Sequence, residues 1–491
     1  MSSMSSGKKD TSYYIHSLIV ILFMFAFPQL TPIEPLTAQG MWALGIFIGL
    51  LWAWTFVDFI WPSILGMCAV GLSGFMTIDA AFNAAFGNTT VIMVAVCFIF
   101  AAYLTQTGVC KTVAYWFISR KSCIGKPYIF MLYLLLACYL LGATAGPMAA
   151  IVIGWAIVYE VMEIAKYKKG DSLPSILLVG VVVSSMLGST VFPWRAFAVI
   201  AQNNAKNLLA MQCDFLDWVI PSFCASFIAM LLYIIVAKFV LRPDVSHLES
   251  KEDIYASFRS QINLTGVQKQ GLAVLAFVIL FSSIPSFLPA GNVAKVFMSK
   301  FSIGPLMILA MALVYAVKIK GEHQLDFVRA VKEGIDWPTI IMLASSMPVA
   351  SMVQHADSGI STLINSALTS LLGDYGMFAI ACLFIIFCVV LTQIAHNLVM
   401  MIVLAPIICN LSLSMGFNAM PILMMLAFAA NAGIATAGAS VMGAMIFANR
   451  EWIPTKRAFA YTWSAVAVCA LTMCLIGIPL AMAMGAGVPI Q

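Results

Sequence analysis

Charge is what this chain has least of. Only 9% of its 491 residues are Asp, Glu, Lys or Arg, where a soluble globular domain carries about 25%. The net charge is only +5, which gives a nucleic acid little to bind. No CxxC and no Cys/His pair occurs among the 12 cysteines. Nearly all of them fall inside apolar stretches and read as small membrane-helix residues rather than disulfides or metal ligands. No group of His, Asp, Glu or Cys has catalytic spacing, so the chain does not read as an enzyme. What is abundant is apolar: 62% of the residues are hydrophobic, with a mean hydropathy of +1.00. No water-soluble fold of this length hides so much apolar surface. The chain reads as an all-α integral membrane protein, because the apolar runs are near-continuous and lack the period-2 alternation of a barrel strand.

Eleven stretches are long enough to cross about 30 Å of hydrocarbon. They run 14–30, 38–57, 59–76, 89–107, 173–193, 216–240, 271–290, 302–318, 337–356, 420–448 and 458–485. The first follows a short polar segment with Lys8 and Lys9 and ends at Phe27-Pro28-Gln29-Leu30 without a small-residue cleavage pattern. It reads as a membrane helix, not a signal peptide. Two further blocks, 127–165 and 375–413, are apolar but interrupted near their middles by small or polar residues.

The charges orient the chain, since cytoplasmic loops carry the excess of Lys and Arg. With the N-terminus inside and the C-terminus external, 21 of the 25 basic residues fall on the cytoplasmic side. They lie at Lys8–Lys9, Lys111–Lys126, Lys166–Lys169, Lys238–Lys269, Lys318–Lys332 and Arg450–Arg457. Arg195, Lys206, Lys295 and Lys300 remain outside, with Arg195 read as a snorkelling residue at the outer interface or, alternatively, as one positive charge added to the anion site. This threading makes block 127–165 enter and leave on the inside and block 375–413 on the outside. Charge does not separate a pair of spans from a re-entrant hairpin, since either returns the chain to the same side. Internal symmetry favours hairpins. Thr90–Gly108 and Thr339–Gly359 are each a span ending in Gly, followed by an amphipathic stretch and an interrupted block. The two copies are opposite in sense, the inverted repeat of secondary transporters. The expected organisation is an N-terminal segment and first helix (1–37), a first repeat (38–240) with the inner hairpin 127–165, and a cytoplasmic linker (241–268). A second repeat (269–485) with the outer hairpin 375–413 and a short tail (486–491) follow.

The candidate site lies at the interruptions. The first block breaks at Leu141-Gly142-Ala143-Thr144-Ala145-Gly146-Pro147, where two glycines and a proline stop a helix. A helix beginning after Gly146 offers amides and a positive dipole end to an anion. The second block breaks at Thr392-Gln393-Ile394-Ala395-His396-Asn397, polar residues that are costly at membrane depth unless they face a site. Spans five and ten carry matching breaks, Ser184 to Thr190 before Pro193, and Asn431 to Ser440. Their hydroxyls and freed carbonyls suit Na⁺, while amides and dipoles suit a carboxylate or sulfate. The substrate-facing candidates are Thr144, Ala145, Gly146, Ser189, Thr190, His396, Asn397 and Thr436. No Asp or Glu lies in these four elements' cores. That argues against a cation/proton antiporter, which usually needs an embedded carboxylate. A proton-coupled carrier or exchanger, with His396 titrating near pH 6.5, is the alternative within anion transport.

At this point the chain resembles the divalent anion/sodium symporter family, the dicarboxylate, citrate and sulfate carriers of the ion transporter superfamily. The resemblance covers nearly all of 38–485 and rests on topology and hairpin placement more than on motif identity. Of the family's Ser-Asn-Thr motif at each tip, the first hairpin keeps Thr144 and the second keeps Asn397, followed by Pro406. The resemblance implies a plasma-membrane homodimer with a scaffold and an elevator-type transport domain, taking a small anionic substrate with Na⁺ as coupling ion and no other cofactor. It implies a sodium site at Thr392, Ala395 and Asn397 with Ala439 and Ser440 opposite. The first-half equivalent falls on Cys138, Gly142 and Ala143 facing Gly188, where two side-chain oxygens are missing.

Cysteines placed singly at Lys168 and Phe417 test the threading. A membrane-impermeant maleimide should reach position 417 from outside the cell and position 168 only after permeabilisation. The reverse pattern at either position overturns the inverted repeat.

Overall fold

A computed structural model describes residues 4–249, 258, 262, 264–289, 291–301, 303–319, 322–323 and 325–489. Lys251, Glu252, Asp253 and Arg259 of the expected linker, and Lys320, lie outside the described residues. The chain is mostly helical. Along it run α1 (Ala38–Phe56), α2 (Trp61–Leu72), α3 (Ile78–Phe86), α4 (Pro127–Thr144), α5 (Pro147–Ile164), α6 (Ser172–Gly188) and α7 (Ala196–Leu209). Strand β1 (Met211–Gln212) and helices α8 (Phe215–Val236), α9 (Trp337–Gln354), α10 (Met377–Leu391) and α11 (Asn397–Met415) follow. The last are α12 (Met420–Asn431), α13 (Val441–Ala448), α14 (Thr455–Thr472) and strand β2 (Val488–Pro489).

Among the described residues nine helices are long and apolar enough to cross a membrane. This is a multi-span membrane protein. The expected span 59–76 is shorter: α2 has 12 residues, about 18 Å at 1.5 Å per residue. It ends just before Gly74, which takes φ +80°, and α3 then starts on a Thr77 side-chain cap to the Ala80 amide. The two stretches with polar breaks are broken helices. α6 stops at Gly188 and α7 restarts at Ala196; α12 stops at Asn431 and α13 restarts at Val441. Each interrupted block is a helix, a short break and a second helix: α4 with α5, and α10 with α11. The arms α4 and α5 have 18 residues each and α10 has 15.

The chain forms two compact units, one of 1–95, 335–376 and 402–417, the other of 96–334, 377–401 and 418–491. In the first, α9 packs on α1, α2 and α3. Gly40 and Gly359 let the start of α1 lie against the turn after α9, since a Cβ on Gly40 would stand 1.9 Å from Ser358 O.

The second unit holds both breaks and both broken helices. α4, α5 and α6 pack on one another; α12 packs on α7 and α10, and α14 on α8. Its loops fall into two groups at opposite ends of α8. At one end Lys169 Nζ meets Glu451 Oε2 at 2.6 Å, Ser175 Oγ donates to Trp452 O at 2.6 Å, and Tyr167 OH donates to Asp244 O at 3.0 Å. At the other, β1 pairs antiparallel with β2, and Asn418 Nδ2 donates to Ala486 O at 2.8 Å. The charge count put the first set of loops on one side and the second set on the other. The hydrogen bonds join loops within each set.

The tightest helix contact in the second unit is α4 on α6, and it depends on two glycines. A Cβ on Gly188 would stand 1.9 Å from Tyr139 O, and one on Gly142 would stand 2.2 Å from Ser185 O. Gly188→Ala should therefore lower the unfolding temperature in detergent by an amount equivalent to at least about 1–3 kcal/mol, the usual cost of overpacking. Gly376→Ala, where a Cβ meets nothing within 4 Å, should leave it unchanged. Equal melting of the two variants would show that the α4–α6 contact is loose.

Candidate functional site

Breaking a helix inside apolar surroundings frees amides and carbonyls that must be paired within the protein. In the second half Gln393 does most of this pairing. Its Oε1 accepts from the amides of Ile434 and Ala435 at 3.1 and 2.8 Å. Its Nε2 donates to Val389 O at 2.8 Å and to Ala432 O at 3.0 Å. Its own carbonyl accepts from Thr436 Oγ1 at 2.5 Å. One 2%-exposed amide side chain thus ties the end of α10 to the α12–α13 break. Gln393 stood in the polar run of the sequence without a role. Its chemistry, two donors and an acceptor on one buried fork, is the signal that could have singled it out.

Around this knot the other second-half candidates gather. Thr392 Oγ1 donates to Ala430 O at 2.8 Å, and the Asn397 amide donates to Ala439 O at 3.1 Å. Ser440 Oγ donates to Gly433 O at 2.5 Å and accepts from the Gly443 amide at 3.1 Å, capping α13. Three oxygens converge over Gly433. A Cβ there would stand 3.0 Å from Thr392 O, 3.1 Å from Thr392 Oγ1 and 3.2 Å from Ala439 O. The bare glycine leaves a cradle that a side chain would fill. Oxygen donors without a carboxylate suit a hard monovalent cation, so Thr392 and Ala439 fit a bound Na⁺, while the Ser440 hydroxyl holds the backbone of the break. Asn397 contributes by holding the Ala439 carbonyl. Ala395 is anchored by its amide to Leu391 O at 2.9 Å and makes no described contact with the cradle. His396 is half-buried, and its Nδ1 lies 3.4 Å from the Leu398 amide, beside the firmer 2.8 Å bond from that amide to Asn397 Oδ1.

The first half is built differently. Thr144 Oγ1 donates back to Leu140 O at 2.8 Å, and Ala145 closes α4 by its amide on Leu141 O at 2.8 Å. Ser184 and Ser185 spend their hydroxyls on Gly180 O and Val181 O at 3.0 and 2.6 Å. Cys138 Sγ points at Ala150 O, 3.9 Å away. Backbone fills the position over Gly188 and Gly142, where a second ion would sit by symmetry. The residues there do not fit a cation: no cradle exists and the hydroxyls face elsewhere.

The two broken helices meet at their breaks. Asn431 Nδ2, at the end of α12, donates to Met186 O at 3.0 Å and to Ser189 Oγ at 2.8 Å. Ser189 is thereby drawn to the second half, while Thr190 Oγ1 donates to Leu187 O at 3.3 Å and is fully buried. Arg195 stands beside the first tip. It caps the start of α7 within the break, and its guanidinium lies on Gly146: a Cβ on that glycine would stand 2.7 Å from Nη2. Of the two readings of Arg195, this contact favours the charge at the anion site. A linear sequence hides the contact, because 49 positions separate the two residues.

Among the described residues no three His, Cys, Asp or Glu side chains converge as a metal cluster. The family profile described as a citrate transporter (CitMHS) matches residues 49–393. The chain belongs to the citrate transporter family. Among solved structures, 27 chains match this fold. One is the crystal structure of the Alcanivorax borkumensis YdaH transporter, described as having an unusual topology, with a TM-score of 0.59 and 12% identity. The match covers 82% of this chain and 87% of that one, a likeness of fold. No curated protein matches significantly. The fold and family are those of a membrane carrier, not an enzyme, as the sequence implied.

Gln393→Leu should be among the most damaging single changes. It orphans the Ile434 and Ala435 amides and removes donors from two carbonyls, and each unsatisfied buried group costs about 1–3 kcal/mol. The expected result is a large fall in melting temperature in detergent with loss of transport. Gln393→Glu, which keeps both acceptor bonds, should melt higher than Gln393→Leu. The opposite order would mean the acceptor bonds carry little.

Proposed function

We propose that this protein is a secondary active carrier of citrate or a related di- or tricarboxylate, coupled to Na⁺ and working in the cytoplasmic membrane. The observation that carries the coupling is the cradle over Gly433, where the Thr392 and Ala439 oxygens converge. Na⁺ supplies a positive charge beside the anion and the downhill gradient. Thr392 and Ala439 offer their oxygens to it. Ser440 holds the Gly433 carbonyl and fixes the backbone of the break, and Asn397 steadies the Ala439 carbonyl. Asn431 links this half to Ser189 of the other, so filling the cradle is felt at both breaks. The substrate lies at the two tips and breaks, beside Thr144, Ala145, Gly146, Ser189, Thr190, His396, Asn397 and Thr436. The N-terminus is cytoplasmic and the C-terminus external. The carrier acts as a homodimer whose hairpin-bearing part moves as an elevator against a scaffold. This reading rests on family membership and on the charge distribution of the loops.

Uptake into proteoliposomes tests it, with a panel of citrate, succinate and sulfate and with Na⁺ or K⁺ outside. Na⁺-stimulated citrate uptake is expected. Thr392→Val should raise the Na⁺ concentration for half-maximal uptake about 5- to 150-fold, the equivalent of 1–3 kcal/mol for a lost buried oxygen partner. Thr392→Ser should stay near wild type. Uptake that ignores Na⁺ but rises with falling pH, and loses that rise in His396→Gln, would select proton coupling instead. Unaltered Na⁺ dependence in Thr392→Val would remove the cradle from the mechanism.

A further inference from the structure

Arg195 sits inside the α6–α7 break, half-buried, and lies across the first tip. From a Cβ on Gly146, Nη2 would be 2.7 Å, Cζ 3.5 Å and Nη1 3.6 Å away. Gly146 takes φ +100° and ψ 160°, a backbone conformation essentially restricted to glycine. The absence of a Cβ is what admits the guanidinium. No side-chain hydrogen bond from Arg195 to protein occurs among the described residues. The three described ion pairs are Lys169–Glu451, Arg329–Glu333 and His355–Asp357. None of them involves Arg195.

An arginine stays charged, and a half-buried guanidinium without a counter-ion is expensive. Such a group inside a membrane protein marks a ligand path. The guanidinium's planar fork matches a carboxylate with two parallel hydrogen bonds. It also stands at the tip where α5 begins, so the helix dipole adds to its field rather than opposing it. The same half has no room for a cation, since backbone closes the space over Gly142 and Gly188. A dianion or trianion bound between the tips then meets one mobile cation in the second half and one tethered cation in the first.

We propose that Arg195 binds a carboxylate of the transported anion at the first tip, supplying by a fixed charge what a second coupling cation would otherwise supply. The inference rests on the carrier reading above and assigns the charge that this reading leaves open. It makes two claims: Arg195 reads a substrate carboxylate directly, and one Na⁺ suffices per transport cycle.

The experiment compares citrate with a citrate monoamide in proteoliposomes bearing wild type, Arg195→Lys, Arg195→Gln or the exposed control Arg329→Gln. Wild type should prefer citrate to the best-tolerated monoamide. Arg195→Gln should raise the citrate KM about 10- to 150-fold, the scale of a lost hydrogen bond to a charged group, and should leave the monoamide KM nearly unchanged. Arg195→Lys should fall between, and Arg329→Gln should behave as wild type. The Na⁺ dependence of wild-type uptake should have a Hill coefficient near 1. Because citrate and the monoamide are compared on the same variant, a general loss of folded protein moves both equally and does not imitate the result. If Arg195→Gln does not fold, the smaller citrate preference of Arg195→Lys carries the test. Arg195 variants that keep the wild-type preference overturn the carboxylate contact, and a Hill coefficient of 2 overturns the single-cation claim. A wild type that takes up no carboxylate at all overturns the carrier reading, and this inference with it.

Discussion

Backbone polar groups cannot be left open in a membrane interior, and the rest of the site depends on how this chain meets that demand. Each broken helix releases amides and carbonyls where water is scarce. The second half meets the demand with one side chain. Gln393 caps two amides of the α12–α13 break and two carbonyls from α10 and α12, so an irregular segment becomes as well bonded as a helix. Only because that segment is held open can the oxygens of Thr392 and Ala439 converge on Gly433.

The first half meets the same demand by contact. Gly142 and Gly188 bring α4 and α6 close enough that no space remains between their backbones, and the serine hydroxyls turn back onto their own helix. Small residues permitting close helix approach are a common membrane solution, but this one removes a cavity. The two halves thus arrive at different arrangements, an oxygen-lined cradle in one and a packed joint beside the half-buried Arg195 in the other. The Asn431 bridge to Met186 and Ser189 keeps the two in one network.

Much of the architecture was legible beforehand. The breaks after Gly188 and Asn431 lie where Ser, Thr, Gly and Pro interrupt apolar runs. The loops that pair in space, 211–212 with 488–489 and 169 with 451, are those that the charge count assigned to the same side. The 12-residue α2 was missed because the apolar stretch 59–76 runs on past Gly74 without a charge to mark the turn. Gln393 was missed because its role lies in four bonds, two of them to residues more than 40 positions away. Arg195 was left between two readings because an arginine after a proline at the end of an apolar run looks the same whether it faces lipid headgroups or a hairpin tip.

The sequence by itself determined which segments are apolar, where two of them break, which loops of the second unit lie at the same end, and that no carboxylate stands at the breaks. These follow from hydropathy, from glycine and proline geometry and from charge, all properties of neighbours along the chain. Only the tertiary structure decided that one half holds an oxygen cradle while its counterpart is closed, and that the guanidinium of Arg195 lies on Gly146. Those outcomes turn on which backbone faces which at distances of a few ångströms. Residues as far apart as Met186 and Asn431 meet only when the whole unit has packed.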